Sequence, residues 1–243
     1  TFAYPGAQEP ILKDISFDLL EGKTLGVMGA TGAGKTSIIS LLNRFYDTTE
    51  GSVLLDGVDV RKLSLKQLRS CIAPVMQDVF LFSDTINENV KLGKRELVTD
   101  KDVTDSLDKA QAMEFISHMQ EGCETLIGER GVGLSGGQKQ RISIARALSK
   151  RTPILVMDDS TSALDMETEL AIQQELKELK EITKIIIAHR ISAVRHADEI
   201  IVLKDGQIAE RGNHEELLKQ KGMYYDTFMA QYGEYLEQTE QPA

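Results

Sequence analysis

Gly29-Ala30-Thr31-Gly32-Ala33-Gly34-Lys35-Thr36 decides how this chain is read. The stretch fits GxxxxGK[ST], with a third glycine inside it. Glycines let a backbone curl until several N–H groups point at one centre, an arrangement that suits phosphate oxygens. Lys35 adds a mobile positive charge. Thr36 adds a hydroxyl of the kind that binds Mg²⁺, at the start of a helix whose N-terminal end is itself positive. Residues 25–28, an apolar run, precede the loop and read as a buried strand. Residues 36–45 follow it, with Ile38, Ile39, Leu41 and Leu42 at helical spacing. The motif occurs by chance in on the order of one chain in a hundred. The strand before it and the helix after it therefore carry the assignment to a nucleotide phosphate. Gly29, Thr31, Gly32, Ala33, Gly34, Lys35, Thr36 and Ser37 are the expected contacts.

Outward from the loop, the chain reads as α/β. Residues 52–60 read as a hairpin around Asp56-Gly57, a pair suited to a tight two-residue turn. Residues 72–76, 154–157, 184–188 and 199–203 are further apolar strands, and Lys204-Asp205-Gly206-Gln207 is a turn. Residues 78–145 have little β-branched clustering and helical stretches such as 102–119, and read as an inserted helical subdomain. Residues 168–180 carry a helical stripe at Ile172, Leu176 and Leu179. One domain is expected over 1–243. Its core spans 1–77 and 146–232, with an antiparallel β region near the N-terminus and a loose polar tail over 233–243.

The 243 residues carry 28 Lys plus Arg against 38 Asp plus Glu, a net charge of -10. Nucleic-acid grooves want a basic surface, so a nucleic-acid partner is not expected. Cys71 and Cys123 lie far apart without a CxxC spacing, which suggests reduced thiols rather than a zinc site or a disulfide scaffold. No apolar run approaches the ~18 residues needed to span a bilayer. Thr1-Phe2-Ala3-Tyr4 already reads like strand, as when a longer protein has been cut.

Two further motifs narrow the class. Ile154-Leu155-Val156-Met157-Asp158 is a strand ending in a carboxylate that, after a phosphate loop, points to Mg²⁺. Leu134-Ser135-Gly136-Gly137-Gln138 opens a helix and reads as a second anion cradle, a hydroxyl plus free amides. One chain needs one cradle per nucleotide, so a second makes sense facing the nucleotide of another subunit. With these motifs in place, nearly the whole chain resembles the ATP-binding cassette family. Ser135, Gly136, Gly137 and Gln138 resemble its signature motif. Gln77 resembles its Q-loop glutamine, a Mg²⁺ ligand that also senses the γ-phosphate. Ser162-Ala163-Leu164-Asp165 resembles its D-loop. His189 resembles its switch histidine, and Tyr4 the aromatic that stacks on adenine. Such stacking is worth roughly 1–3 kcal/mol in other systems. The resemblance implies ATP and Mg²⁺ as cofactors, with Thr36, Gln77 and Asp158 on the metal. His118, His196 and His214 receive no role.

Thr125-Leu126-Ile127-Gly128-Glu129-Arg130-Gly131 resembles the X-loop segment of exporters in this family, which contacts the helices that couple motor to membrane domain. Phe80-Leu81-Phe82-Ser83-Asp84-Thr85-Ile86 resembles the exporter form of the segment after the Q-loop. The resemblance thus implies an ATPase motor at the cytoplasmic face of the cell membrane, paired with a second such domain and a transmembrane domain absent from this chain. The chain departs from the family at Asp159, where a catalytic Glu is the rule. Aspartate is one methylene shorter, so its carboxylate stops roughly 1–1.5 Å short. A slow site is expected, as in one half of a heterodimeric exporter, with a homodimer as the alternative. A regulatory ATP-binding module or a soluble cassette ATPase are the other readings.

Overall fold

The computed structural model describes residues 1–239. In chain order its first elements are β1 (Thr24–Gly29), α1 (Lys35–Leu42), β2 (Leu54–Leu55), β3 (Val58–Asp59), α2 (Leu65–Ser70) and β4 (Ile72–Val75). α3 (Ile86–Lys91), α4 (Asp100–Lys109), α5 (Met113–Ile116) and α6 (Gly136–Ser149) follow. After them come β5 (Ile154–Asp158), α7 (Met166–Glu178), β6 (Thr183–Ile187), α8 (Ile191–Val194), β7 (Glu199–Lys204), β8 (Gln207–Gly212), α9 (His214–Gln220) and α10 (Met223–Thr239). The fold is α/β with mostly parallel strand pairing. The chain forms two compact units, one of residues 1–69 with those from 184 onward, the other of residues 70–183.

In the first unit β6, β1 and β7 run parallel, with Val27 opposite Ile187 on one side and Met28 opposite Val202 on the other. β1 is largely apolar, β6 ends in three isoleucines, and both are buried almost throughout, as parallel strands covered on both faces are. β8 closes the edge antiparallel to β7, and its residues alternate between exposed and half-buried. A core of Met28, Ile186, Ile191, Val194, Val202, Leu217 and Tyr224 joins these strands to α8, α9 and α10. The expected hairpin is present as β2–β3, with Asp56 and Gly57 at φ 49° and 76°. Two positive φ values are what a tight turn matching strand twist requires. The N-terminal stretch carries an antiparallel bridge of Phe2 with Leu12, and the Lys13 N–H donates to the Gly206 carbonyl at 2.7 Å.

In the second unit β4 and β5 run parallel, Val75 opposite Met157. The expected helical stretch 78–145 lies within this unit. Its apolar residues Ile86, Val90, Val103, Leu107 and Ile116 pack with Ile142 and Ile144 of α6 and with Val75 and Leu155 of the strands. The helix expected over 102–119 is interrupted: Gln111 takes φ 56°, and its carbonyl accepts a 2.7 Å bond from Arg141 Nη1. Asn89 ties the segment after β4 to α6. Its Nδ2 donates to the carbonyls of Phe82 (2.9 Å) and Thr85 (3.0 Å), while its Oδ1 accepts from Phe82 N–H and Arg146 Nη2, both at 2.9 Å. Arg146 also donates to the carbonyls of Asn89 (2.8 Å) and Phe80 (2.9 Å). Burial pushes the Arg146 pKa down to about 10. Removing Asn89 would leave the Phe82 N–H and an Arg146 N–H unmatched, and removing Arg146 would leave the Asn89 and Phe80 carbonyls without that donor, at about 1–3 kcal/mol for each buried group.

Where a loose tail reads from the sequence at 233, α10 continues to Thr239. Residues 240–243 lie outside the described residues.

Candidate nucleotide site

In the first unit the phosphate loop leaves the C-terminal end of β1, the edge at which parallel α/β sheets bind their ligands. Gly29 has φ 144°, and a Cβ there would lie 2.4 Å from the Leu203 carbonyl oxygen. Gly34 has φ 98° and caps α1 without a side chain; a Cβ there would lie 2.6 Å from Leu12 Cδ2. Both positions therefore demand glycine, and the loop curls tightly enough for the Ala33 N–H to reach the Ala30 carbonyl at 3.1 Å. The first turn of α1 carries no acidic side chain, so nothing at this helix start opposes an anion. Lys35 is 7% exposed, and its Nζ donates to the carbonyls of Gly29 (2.7 Å) and Ala30 (2.9 Å). The loop thus holds its own ammonium at its centre, where phosphate oxygens are stronger acceptors than neutral carbonyls. The Tyr4 hydroxyl and Ser37 Oγ share a hydrogen bond of 2.9 Å, and the Tyr4 ring meets Phe2 and Tyr46 edge-on at 4.8 and 5.1 Å. Tyr4 is thereby fixed beside α1.

His189 follows β6, and the Ala188 N–H donates to Val27 O at 3.2 Å. That pairing sets His189 at the same sheet edge as the start of the phosphate loop. The His189 side chain is exposed. Its carbonyl accepts from Gln231 Nε2 at 2.8 Å, a contact the sequence does not announce.

In the second unit the register of β4 against β5 carries Gln77 and Asp159 to corresponding positions beyond the ends of neighbouring strands. Asp158 is the last residue of β5 and 3% exposed. Asp159 takes φ 43°, and its carbonyl accepts from Ser162 Oγ at 2.8 Å and Ser162 N at 3.3 Å. Left-handed backbone is tolerated by Asp better than by longer side chains. Asp165 caps α7, its carboxylate accepting from Thr168 N–H (2.9 Å) and Oγ1–H (2.8 Å). The Thr168 amide bond, foremost, holds the Asp165 pKa below the ordinary carboxylate range.

Ser135 caps α6 in a reciprocal box: its Oγ accepts Gln138 N–H (3.2 Å), and Gln138 Oε1 accepts Ser135 N–H (2.9 Å). The box takes the Ser135 amide and the Gln138 side chain into helix capping. It leaves the Ser135 hydroxyl its proton to donate. Gly136 and Gly137 occupy the first turn, where amides have no intrahelical partner. Gln140 Oε1 accepts Ala163 N–H at 3.1 Å, which ties this helix to the loop after β5.

Residues 80–86 and 125–131, the two segments that resemble exporter ones in sequence, meet each other in this unit. Thr85 bridges Leu126 antiparallel, with Ile86 N to Thr125 O at 3.1 Å and Ile127 N to Asp84 O at 3.0 Å. They expose Phe80 (48%), Phe82 (46%) and Leu126 (72%).

The donor chemistry suits MgATP. In the first unit amides and an ammonium match phosphate, and the Thr36 hydroxyl is a hard oxygen; in the second unit the Gln77 carboxamide and the Asp158 carboxylate are hard oxygens too, the type that Mg²⁺ prefers. Among the described residues no group of three or more His, Cys, Asp or Glu is placed to hold a metal ion. A Mg²⁺ that arrives with phosphate needs only one or two protein carboxylates.

The strand, loop and helix of the first unit define a P-loop nucleotide hydrolase. More narrowly, residues 12–162 match the ABC transporter family, and the chain belongs to that family as an ATPase domain that uses ATP. It is 49% identical over 235 residues to the ATP-dependent lipid A-core flippase of Yersinia pestis bv. Antiqua (strain Antiqua), and 47% to that of Vibrio vulnificus (strain CMCP6). Each match covers 96% of this chain and 40% of the relative, so the chain spans two fifths of the length of these relatives. A solved structure of a bacterial Atm1-family ABC exporter with ATP bound superposes with TM-score 0.89 at 39% identity, over 95% of this chain and 40% of that one. No helix among the described residues is long and apolar enough to cross a membrane.

Proposed function

We propose that this chain is the ATP-driven motor of an exporter, working at the cytoplasmic face of a membrane as one of a pair. The phosphate loop carries the proposal: a strand-end loop that demands glycine at two positions and centres the Lys35 ammonium. Lys35 and the loop amides, from Gly29 through Ser37, hold the phosphates, and Tyr4 stacks on adenine. Thr36, Asp158 and Gln77 would hold Mg²⁺, which would supply charge neutralisation at the phosphates. Asp159 takes the proton of the attacking water or orients that water, and His189 contacts the γ-phosphate.

In this reading Ser135, Gly136 and Gly137 face the nucleotide of a second cassette domain, so each ATP lies between two chains. Gln138 supports them through the capping box. Binding closes the pair and loss of the γ-phosphate reopens it. Phe80, Phe82 and Leu126 form the apolar contact that receives the transmembrane domain. Cargo selection would then reside in that domain. The short carboxylate of Asp159 favours a partner that is a different chain, one supplying the missing Glu for the other site. It also favours a second reading, a regulatory domain that binds ATP and hydrolyses almost none.

Sedimentation of the chain with and without saturating MgATP tests the pairing. The mass is expected to double with nucleotide. A monomer throughout, at concentrations well above the affinity for ATP, would remove pairing of this chain with itself and leave the shared site to a different partner chain.

A further inference from the structure

α10 is fixed to the first unit at both of its functional points. At its start, the Glu210 carboxylate accepts the N–H groups of Met223 and Tyr224. The fully buried Tyr224 places its hydroxyl 2.7 Å from His214 Nδ1. Two turns further on, Gln231 reaches the loop between β6 and α8. Its Nε2 donates to the His189 carbonyl at 2.8 Å, and its Oε1 accepts the Ile191 N–H at 2.9 Å. The two partners, a carbonyl and an amide, fix the orientation of the carboxamide, since the flipped form would oppose like groups.

Gln231 thereby does what Arg190 does not. Arg190 precedes α8 without a side-chain cap. The first amide of α8 is instead satisfied by a glutamine from a helix 40 residues away in sequence. Gln231 is itself exposed, so packing does not require a carboxamide at this position. The bridge closes over one residue, Arg190, and its other end is the backbone of the histidine assigned above to the γ-phosphate.

We propose that Gln231 is a positioning residue for His189. By clamping the backbone on both sides of Arg190, it fixes where the imidazole is presented, and it makes the hydrolysis rate depend on the docking of α10. The catalytic part of this inference rests on the ATPase reading of His189; the clamp itself does not.

The test compares Gln231→Leu and Gln231→Glu with the parent chain. Leu removes both bonds. Glu keeps an acceptor for Ile191 N–H and sets a carboxylate against the His189 carbonyl. Hydrogen exchange at the Ile191 amide is expected to quicken about fivefold in the Leu variant and to stay near the parent rate in the Glu variant. In both variants kcat for MgATP is expected to fall roughly tenfold. KM for ATP stays within about twofold and the melting temperature within about 3 °C. A fall in kcat that tracks a loss of melting temperature, or an unchanged kcat in both variants, would overturn the positioning role. If the parent hydrolyses too little ATP for kcat to be read, the comparison is made in the Asp159→Glu background, and NMR of the His189 ring decides the clamp. Its resonances are expected to shift or broaden in both variants, and unchanged ring signals would overturn the clamp.

Discussion

Replacing Lys35 with alanine is expected to lower the affinity for MgATP at least about 100-fold. The Lys35 ammonium is nearly buried and bonded to two loop carbonyls, so it is already gathered at the loop's centre before any phosphate arrives. Little side-chain entropy remains to be lost on binding. Each bond to a charged phosphate oxygen contributes about 1.5–3 kcal/mol, and tenfold in affinity corresponds to about 1.4 kcal/mol. Two such bonds account for the expected loss. Arginine is not expected to restore binding, because its planar fork is larger and its donors point differently. Isothermal titration calorimetry with MgATP reads the effect directly, and an unchanged melting temperature would show that the loop variant remains folded. Unchanged affinity would remove the phosphate loop from the site.

The second large effect is a gain. Asp159→Glu is expected to raise ATP turnover about 10- to 100-fold, with KM changed no more than about threefold. A carboxylate held about 1 Å from its productive position costs on the order of a hundredfold, and general-base contributions lie near 10²–10⁴-fold. The structure adds a counterweight: Asp159 takes φ 43°, where a longer side chain is less at ease. A stability loss of roughly 1 kcal/mol is expected beside the gain in rate. Asp159→Asn, which keeps the length and the backbone preference but removes the base, is expected to fall below the parent. Steady-state phosphate release from the three forms checks the order. Equal rates for Asp and Glu would make Asp159 an adequate carboxylate and weaken the case for a different partner chain.

What was legible in the sequence follows from range. β1, the glycine loop and α1 are adjacent, and each carries its own signal: an apolar run, backbone freedom and helical periodicity. The β2–β3 turn was equally clear because Asp56-Gly57 states its conformation locally. The order of the motifs along the chain supplied the family, which the match over residues 12–162 bears out. The rest depends on distant residues. Gln231 lies 42 residues from His189, and Arg146 lies 57 from Asn89; neither pair leaves a periodic trace. β8 was missed because its half-buried alternation is carried by Ile208, Glu210 and Gly212, not by an apolar run. The capping box between Ser135 and Gln138 was readable in principle, since Ser followed three residues later by Gln is its signature. His214, left without a role, proves to be the partner of Tyr224.

The measurement closest to the central claim is phosphate release from MgATP as a function of chain concentration, on the Asp159→Glu variant with and without Lys35→Ala. The account predicts a rate per chain that rises with concentration until the pair is saturated, and that vanishes when Lys35 is replaced. A rate per chain independent of concentration, or one that survives the loss of Lys35, would contradict it.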